Sequence, residues 1–201
     1  MAVATTQLVA EAFDPTDSSE ARGKNNRLLP HALAVLAYAP REGPTSWSTM
    51  FILQKIGDVL ADLYELPDAL TFYRSALALA ERGAKFDSSN PHWQVAIAEL
   101  HICIGEVLKD QGKRPAARDA YKAALATRER LTKIDPSNVD WRHALAECYV
   151  NIGRVEGSLA ALQTGRAILA DLMQASPDDA ALAKYLDFID LMIALVEKNG
   201  S

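Results

Sequence analysis

Apolar residues recur along most of the chain every three or four positions, the spacing of one face of an α-helix. From residue 45 onwards this pattern is interrupted only at short polar, glycine or proline breaks, namely Pro67, residues 87–91, Gly112, residues 135–138 and residues 176–178. These breaks predict helices at residues 45–64, 67–85, 91–110, 115–134 and 178–198. Only 41 residues separate the breaks at 135–136 and 176–178, so we expect a shorter helix there that ends near residues 151–154, followed by a helix at residues 156–175. The β-branched residues form no alternating runs, so the expected fold class is all-α.

The first 44 residues are less regular than the rest. Residues 5–13 have the pattern of a short amphipathic helix, but residues 14–19 and 23–26 are polar and have little to bury. We therefore expect a flexible segment over residues 1–27. Residues 28–39 are apolar nearly all round, which predicts a short helix packed on the domain that follows. Pro40 and the Gly43-Pro44 pair end it, so residues 28–44 form a packing helix and linker, and residues 45–198 form the main domain.

The main domain contains an internal repeat. Shifting the sequence by 48 residues superimposes Gly57, Gly105 and Gly153, each preceded by isoleucine and followed two positions later by valine. The same shift pairs Pro67 with Pro115, Tyr73 with Tyr121, and residues 76–78 with residues 124–126. A fixed period of this length is typical of stacked helical repeats, which bury their apolar faces against one another. The third unit is shorter, because its closing break follows the previous one after 41 residues.

The order of small and aromatic residues resembles the tetratricopeptide repeat. In the first unit these residues are Gly57, Ala69, Tyr73 and Ala76, and the second unit matches them at Gly105, Ala117, Tyr121 and Ala124. In the third unit Leu162 stands at the tyrosine position and Gly165 at the last small position. The resemblance is to the longer variant with a period in the forties, similar to bacterial repeat arrays and kinesin light chain repeats. It implies an α-α superhelix of about three helix pairs with a C-terminal capping helix.

The resemblance also implies a concave groove, lined by the first (A) helix of each pair, that receives a protein segment. The groove positions would be Phe51, Gln54, Asp58, Asp62, Glu99, Ile102, Cys103, Glu106, Asp110, Glu147, Val150, Asn151 and Arg154. Some relatives hold a terminal carboxylate there with Lys, Asn and Arg. This chain has Gln54, Asp58, Cys103, Glu147 and Asn151 instead. Because carboxylates predominate in the groove, we expect a partner with basic residues and an apolar anchor.

The last helix has a wider apolar face than one neighbour can cover. One side is formed by Leu182, Tyr185, Leu186, Ile189, Met192, Ile193 and Val196, and Phe188, Leu191 and Leu195 widen it. The excess is explained either by burial against the preceding helix or by a second contact. That contact would be self-association, giving a possible homodimer, or docking of a partner.

Composition narrows the classes of function. A net charge of -5 and a pI of about 5.4 argue against nucleic acid or an anionic membrane as partner. We expect no secretory signal and no membrane-spanning segment. Cys103 and Cys148 are expected to be free thiols in a reducing bacterial cytoplasm, most simply as small apolar residues, with a regulatory thiol as the alternative.

No candidate chemistry stands out. The four histidines are scattered, and the cysteines have no metal-ligand spacing, so no cofactor, metal or catalytic residue is expected. The basic stripe of Arg114, Arg118 and Lys122 is interpreted as a solvated outer face. The leading hypothesis is a non-enzymatic interaction module or scaffold. The alternative is a self-associating, chaperone-like protein that shields a client with its last helix, and a hydrolase or metal enzyme has little support.

Overall fold

A computed structural model describes residue 12, residues 19–38 and residues 47–200. These residues form eight helices and no strand: α1 Ser19–Tyr38, α2 Trp47–Asp62, α3 Leu66–Phe86, α4 Pro91–Asp110, α5 Arg114–Ile134, α6 Val139–Glu156, α7 Leu159–Ala175 and α8 Ala180–Gly200. The all-α prediction is confirmed, and α2 to α8 are the seven expected helices with small shifts at their ends. The expected helix over residues 5–13 and the linker over residues 40–44 lie outside the described residues.

Helix α1 begins nine residues earlier than the sequence pattern predicts. It starts at Ser19 instead of Leu28, so residues 19–27, expected to be flexible, are helical. Polar residues do not prevent this, because a helix needs an apolar stripe only where it packs. Ala32 is fully buried, and Leu28 and Leu29 pack with it against Ile52, Ile56 and Val59 of α2.

The helix ends follow the breaks in the sequence. Asn90 and Asn138 cap α4 and α6, because their side-chain oxygens accept hydrogen bonds from the backbone N–H groups of His92 and Trp141, each at 3.0 Å. Gly112 has φ +74° in the turn after α4, the left-handed conformation that glycine adopts at least cost. Tyr64, 48 residues earlier, has φ +61° in the turn after α2. A tyrosine therefore occupies a backbone conformation that favours glycine.

The chain divides into two compact units, and the first ends at Gln111. In this unit α1 packs on α2, α2 on α3 and α3 on α4, and α2 also touches α4. Trp93 of α4 is buried, and a β-carbon on Gly83 of α3 would lie only 2.5 Å from its indole ring. The ring of Trp47 in α2 meets the edge of Trp93 with centroids 4.8 Å apart. These contacts place the A-type helices α2 and α4 side by side.

The second unit begins at Gly112. Here α5 packs on α6, α6 on α7 and α7 on α8. Its core consists of Ala146, Val150, Leu162, Leu169, Leu172, Leu182 and Ile189. The remaining five residues of the expected inner face of α8 pack against this core, namely Tyr185, Leu186, Met192, Ile193 and Val196. The expected orientation of α8 is therefore confirmed.

Candidate partner-binding surfaces

The equivalent glycines of the first and third repeats are places where two helices approach closely. A β-carbon on Gly57 would lie 2.6 Å from Cε1 of Tyr73, and one on Gly153 would lie 2.6 Å from Cγ of Leu162. Leu162 thus takes the place of the aromatic ring in the shorter third repeat, as the sequence pattern predicts. In both cases the missing side chain leaves room for a large residue of the second (B) helix.

Tyr73 of α3 reaches past Gly57 to Asp58 of α2. Its hydroxyl donates a hydrogen bond to Oδ1 of Asp58 at 2.9 Å, while its ring is buried. Burial is the largest cause that raises the pKa of Tyr73 well above its usual value, followed by electrostatic interactions with Cys103 and with the Asp58 carboxylate. The hydroxyl therefore stays protonated and acts as a fixed donor. Asp58, one of the expected groove residues, is oriented by the second helix of its own repeat.

Cys103 of α4 faces the same cluster. Burial of its thiol raises the pKa of Cys103, and the charges of Asp58 and Glu99 raise it further, against a smaller opposing effect of Lys55. A thiol in this state is a poor nucleophile. The first unit therefore brings Asp58, Glu99 and Cys103 together on adjoining faces of α2 and α4.

Two lysines reduce the negative charge of this surface, and neither was among the expected site residues. The Lys55 ammonium lies 2.8 Å from Oδ2 of Asp58 and 5.4 Å from the centre of the Phe51 ring. Lys109 pairs with Glu106 and lies 3.5 Å from Asp110. Each lysine is three positions from its carboxylate, a spacing that was visible in the sequence. The surface is therefore acidic but partly paired.

In the second unit α6 carries four expected groove residues, and one prediction is wrong. Val150 is only 1% exposed and belongs to the core. A β-carbon on Gly165 of α7 would lie 2.8 Å from a methyl group of Val150, so the glycine lets α7 approach Val150 closely. The other three are half-buried: Glu147 lies 3.9 Å from Nδ1 of His143, and Asn151 accepts a hydrogen bond from Arg154 at 3.2 Å.

The remaining expected groove positions are accessible to different degrees. Asp62, Glu99 and Asp110 are exposed, and Phe51, Gln54, Asp58, Ile102, Cys103 and Glu106 are half-buried. Asp62 also acts on the pKa of Tyr73, which places it near that cluster. We call the faces of α2 and α4 that carry Phe51, Asp58, Asp62, Glu99 and Cys103 the α2–α4 face.

The basic stripe on α5 has a structural role that was not expected. Arg114 donates a hydrogen bond to the carbonyl oxygen of Val155 at 2.7 Å, and Lys122 lies 2.7 Å from Glu156. Arg118 is 3.8 Å from the same carboxylate. The three cations converge on the C-terminal end of α6, where the helix dipole is negative. They hold α5 against α6 instead of forming a purely solvated face.

Two further features are absent from the part of the chain that the structure describes. No group of three or more His, Cys, Asp or Glu residues there is arranged to hold a metal ion. No helix there is long and apolar enough to cross a membrane.

Known proteins resemble this chain in sequence over one region and in fold over nearly all of it. Residues 108–187 match the tetratricopeptide repeat family. A sequence comparison with curated proteins gives no significant match.

Solved structures extend the likeness. The yeast histone chaperone Hif1, described as a scaffold protein recruiting protein complexes to core histones, is 13% identical with a TM-score of 0.76, and the match covers 98% of this chain and 95% of that one. BtubC from P. vanneervenii is 18% identical with a TM-score of 0.60, over 88% of this chain and 65% of that one. A putative kinesin light chain with nearly identical repeats from Podosopora anserina is 14% identical with a TM-score of 0.51, over 97% of this chain and 95% of that one.

At these identities the structures establish the fold alone, while the sequence match runs from the end of α4 through α5, α6 and α7 into α8. Residues 108–187 therefore match the tetratricopeptide repeat family in sequence, and the chain has a helical-repeat fold similar to that of these structures.

Proposed function

We propose that the chain is a protein-interaction module or scaffold that binds a partner segment on the α2–α4 face, without catalysis. The fold supports a protein partner, because stacked helical repeats expose extended faces that suit recognition of other chains. The observation that carries the proposal is the oriented cluster around Tyr73. Its hydroxyl fixes Asp58 next to the exposed carboxylates Asp62 and Glu99.

The partner segment is expected to combine basic residues with an apolar anchor. Phe51 and Ile102 are half-buried, so both leave apolar surface for an anchor, while Asp62 and Glu99 supply exposed negative charge. Lys55 and the Tyr73 hydroxyl already bind the two oxygens of Asp58, whereas the side chains of Asp62 and Glu99 are exposed to a partner. We place this interaction in the cytoplasm, and no nucleic acid, membrane, metal or cofactor takes part in it.

The test is affinity capture from the native cell with the wild-type chain and an Asp62→Lys, Glu99→Lys double variant. These positions are exposed, so the change alters charge with little effect on packing. An Asp140→Lys, Asp178→Lys double variant, which reverses two exposed carboxylates of the second unit, is a matched control for charge reversal. We expect one or more basic segments to bind the wild type and the control but not the Asp62→Lys, Glu99→Lys variant.

Peptide arrays give an independent result. If acidic C-terminal tails bind best, the expected partner chemistry is wrong. If capture is the same for all three proteins, the α2–α4 face is not the binding surface.

A second candidate function is a chaperone-like role through α8. Phe188, Leu191 and Leu195 are 43%, 60% and 51% exposed, an unusual concentration of large apolar side chains. These residues, which we call the α8 stripe, favour either self-association or docking of another protein. Light scattering over a range of concentrations separates the two.

A further inference from the structure

Lys55 of α2 covers part of the α2–α4 face. Its ammonium lies 2.8 Å from Oδ2 of Asp58 and 5.4 Å from the centre of the Phe51 ring, and its side chain is only 17% exposed. Its positive charge also opposes the rise in the pKa of the Cys103 thiol, so the ammonium is close to α4 as well. A lysine of the chain itself therefore covers a carboxylate and an aromatic ring of the proposed binding surface.

Asp58 and Phe51 carry the two kinds of group that bind basic side chains. A carboxylate forms charge-assisted hydrogen bonds with lysine and arginine, and the face of an aromatic ring attracts their positive charge. The Tyr73 hydroxyl binds the other oxygen of Asp58 at 2.9 Å, so the carboxylate keeps its orientation when Lys55 moves away. Together these groups form a small cation site, which Lys55 fills in the free chain.

The packing of the repeats does not require a lysine at position 55. Successive shifts of 48 residues place Cys103 and Asn151 at the equivalent positions, and neither is basic. The lysine stem is flexible, and an ion pair between residues three positions apart on one partly exposed helix surface contributes little to stability. Lys55 can therefore leave Asp58 at small cost, whereas Tyr73, whose ring is buried, stays in place.

We propose that Lys55 is an internal competitor on the α2–α4 face, occupying the cation site that a lysine or arginine of the partner segment takes on binding. This exchange rests on the function proposed above. A basic residue of the segment pairs with Asp58 and lies against Phe51, while the released ammonium of Lys55 moves into solvent. Arginine is favoured in the exchange, because its planar guanidinium stacks on an aromatic face and is more weakly hydrated than an ammonium.

The probe is a fluorescein-labelled peptide of about 12 residues, with three arginines and two leucines among glycine and serine. A matched peptide has citrulline, which is neutral and of nearly the same shape, in place of each arginine. Fluorescence anisotropy measures the dissociation constants of both for the full chain and four variants, in about 0.15 M and about 0.5 M NaCl. The variants are Lys55→Ala, Lys55→Arg, Lys55→Ala with Asp58→Asn, and the control Lys109→Ala, which removes the lysine that pairs with Glu106. Circular dichroism confirms folding of each variant.

We expect Lys55→Ala to bind the arginine peptide at least about fivefold more tightly than the wild type at both salt concentrations, because Asp58 no longer has to exchange partners. Its affinity for the citrulline peptide should change by less than about twofold. Lys55→Arg should bind as the wild type does. Asp58→Asn should abolish the gain, because asparagine still accepts the hydrogen bond from Tyr73 but has no charge. Lys109→Ala should change the affinity by less than about twofold at the higher salt, where exposed charges more than about 4 Å apart are screened.

Equal affinity of the wild type and Lys55→Ala for the arginine peptide would overturn the competition and leave the binding face itself intact. Weaker binding by Lys55→Ala would overturn it too, because Lys55 would then help to hold the partner. Equal gains from Lys55→Ala and Lys109→Ala at both salt concentrations would replace it with a general effect of charge. If the arginine peptide binds neither the wild type nor any variant at millimolar concentration, the proposed partner chemistry of the α2–α4 face is wrong together with the exchange.

Discussion

Replacing Gly57 with alanine tests the close approach on which the first repeat is built. The added β-carbon would lie 2.6 Å and 2.7 Å from two ring carbons of Tyr73, closer than side chains normally approach. The ring cannot easily move, because it is buried and its hydroxyl is bonded to Asp58. Overpacking of this kind costs about 1–3 kcal/mol. Alanine is favoured over glycine within a helix by about 1 kcal/mol, which offsets part of that cost.

A matched substitution isolates the steric part. Gly23 is also helical, but a β-carbon there would meet nothing within 4 Å, so Gly23→Ala gains the helix preference without a clash. We expect the free energies of unfolding of the two variants to differ by about 1–3 kcal/mol, measured by urea unfolding followed by circular dichroism. In a Tyr73→Ala background, Gly57→Ala should become neutral or stabilising. Equal effects at both glycines, or an unchanged cost without the ring, would refute the reasoning.

Three further predictions concern single positions. Tyr64→Gly should raise the free energy of unfolding by up to about 1 kcal/mol, because glycine removes the backbone strain of a tyrosine in the left-handed conformation. A loss of stability would show that the tyrosine side chain stabilises the fold by more than this strain costs. Cys103 and Cys148 should react with a thiol reagent at mildly alkaline pH only after unfolding. Burial raises the pKa of both thiols, and it raises the pKa of Cys148 to about 12. Rapid labelling of folded Cys103 would revive the regulatory-thiol alternative. The hydrogen bonds from Arg166 lower the pKa of Asp190 in the folded chain. This carboxylate therefore stabilises the fold at pH values above its unfolded pKa, and the stabilisation is lost as the pH falls through its folded pKa. Arg166→Ala should return the pKa of Asp190 to its usual value in an NMR titration, and an unchanged pKa would contradict the ion pair.

Much of the fold could be predicted because the same residue spacing, and with it the same packing contact, recurs in more than one repeat. Gly57 and Gly153 both make room for a large residue of the next helix, and only the identity of that residue changes, from Tyr73 to Leu162. The inward face of α8 could also be predicted, because its seven apolar residues share one side of the helix and all belong to or pack against one core cluster.

The errors arose where the outcome depends on a neighbour that the local pattern does not specify. Val150 aligns with Gln54 and Ile102, which are half-buried, but Gly165 draws α7 over it and makes it core. The start of α1 was missed because its polar first turns need no packing partner. Lys55 and Lys109 were overlooked because spacing permits an ion pair but does not determine which rotamers the side chains adopt.

The central claim is that the α2–α4 face receives a partner segment. It is tested most directly by titrating a captured segment into the isotope-labelled chain and mapping the NMR shift changes by residue. The account predicts the largest changes at the amides of Phe51, Asp62, Glu99 and Cys103. Changes confined to the outer side of α3, or confined to α8, would contradict it.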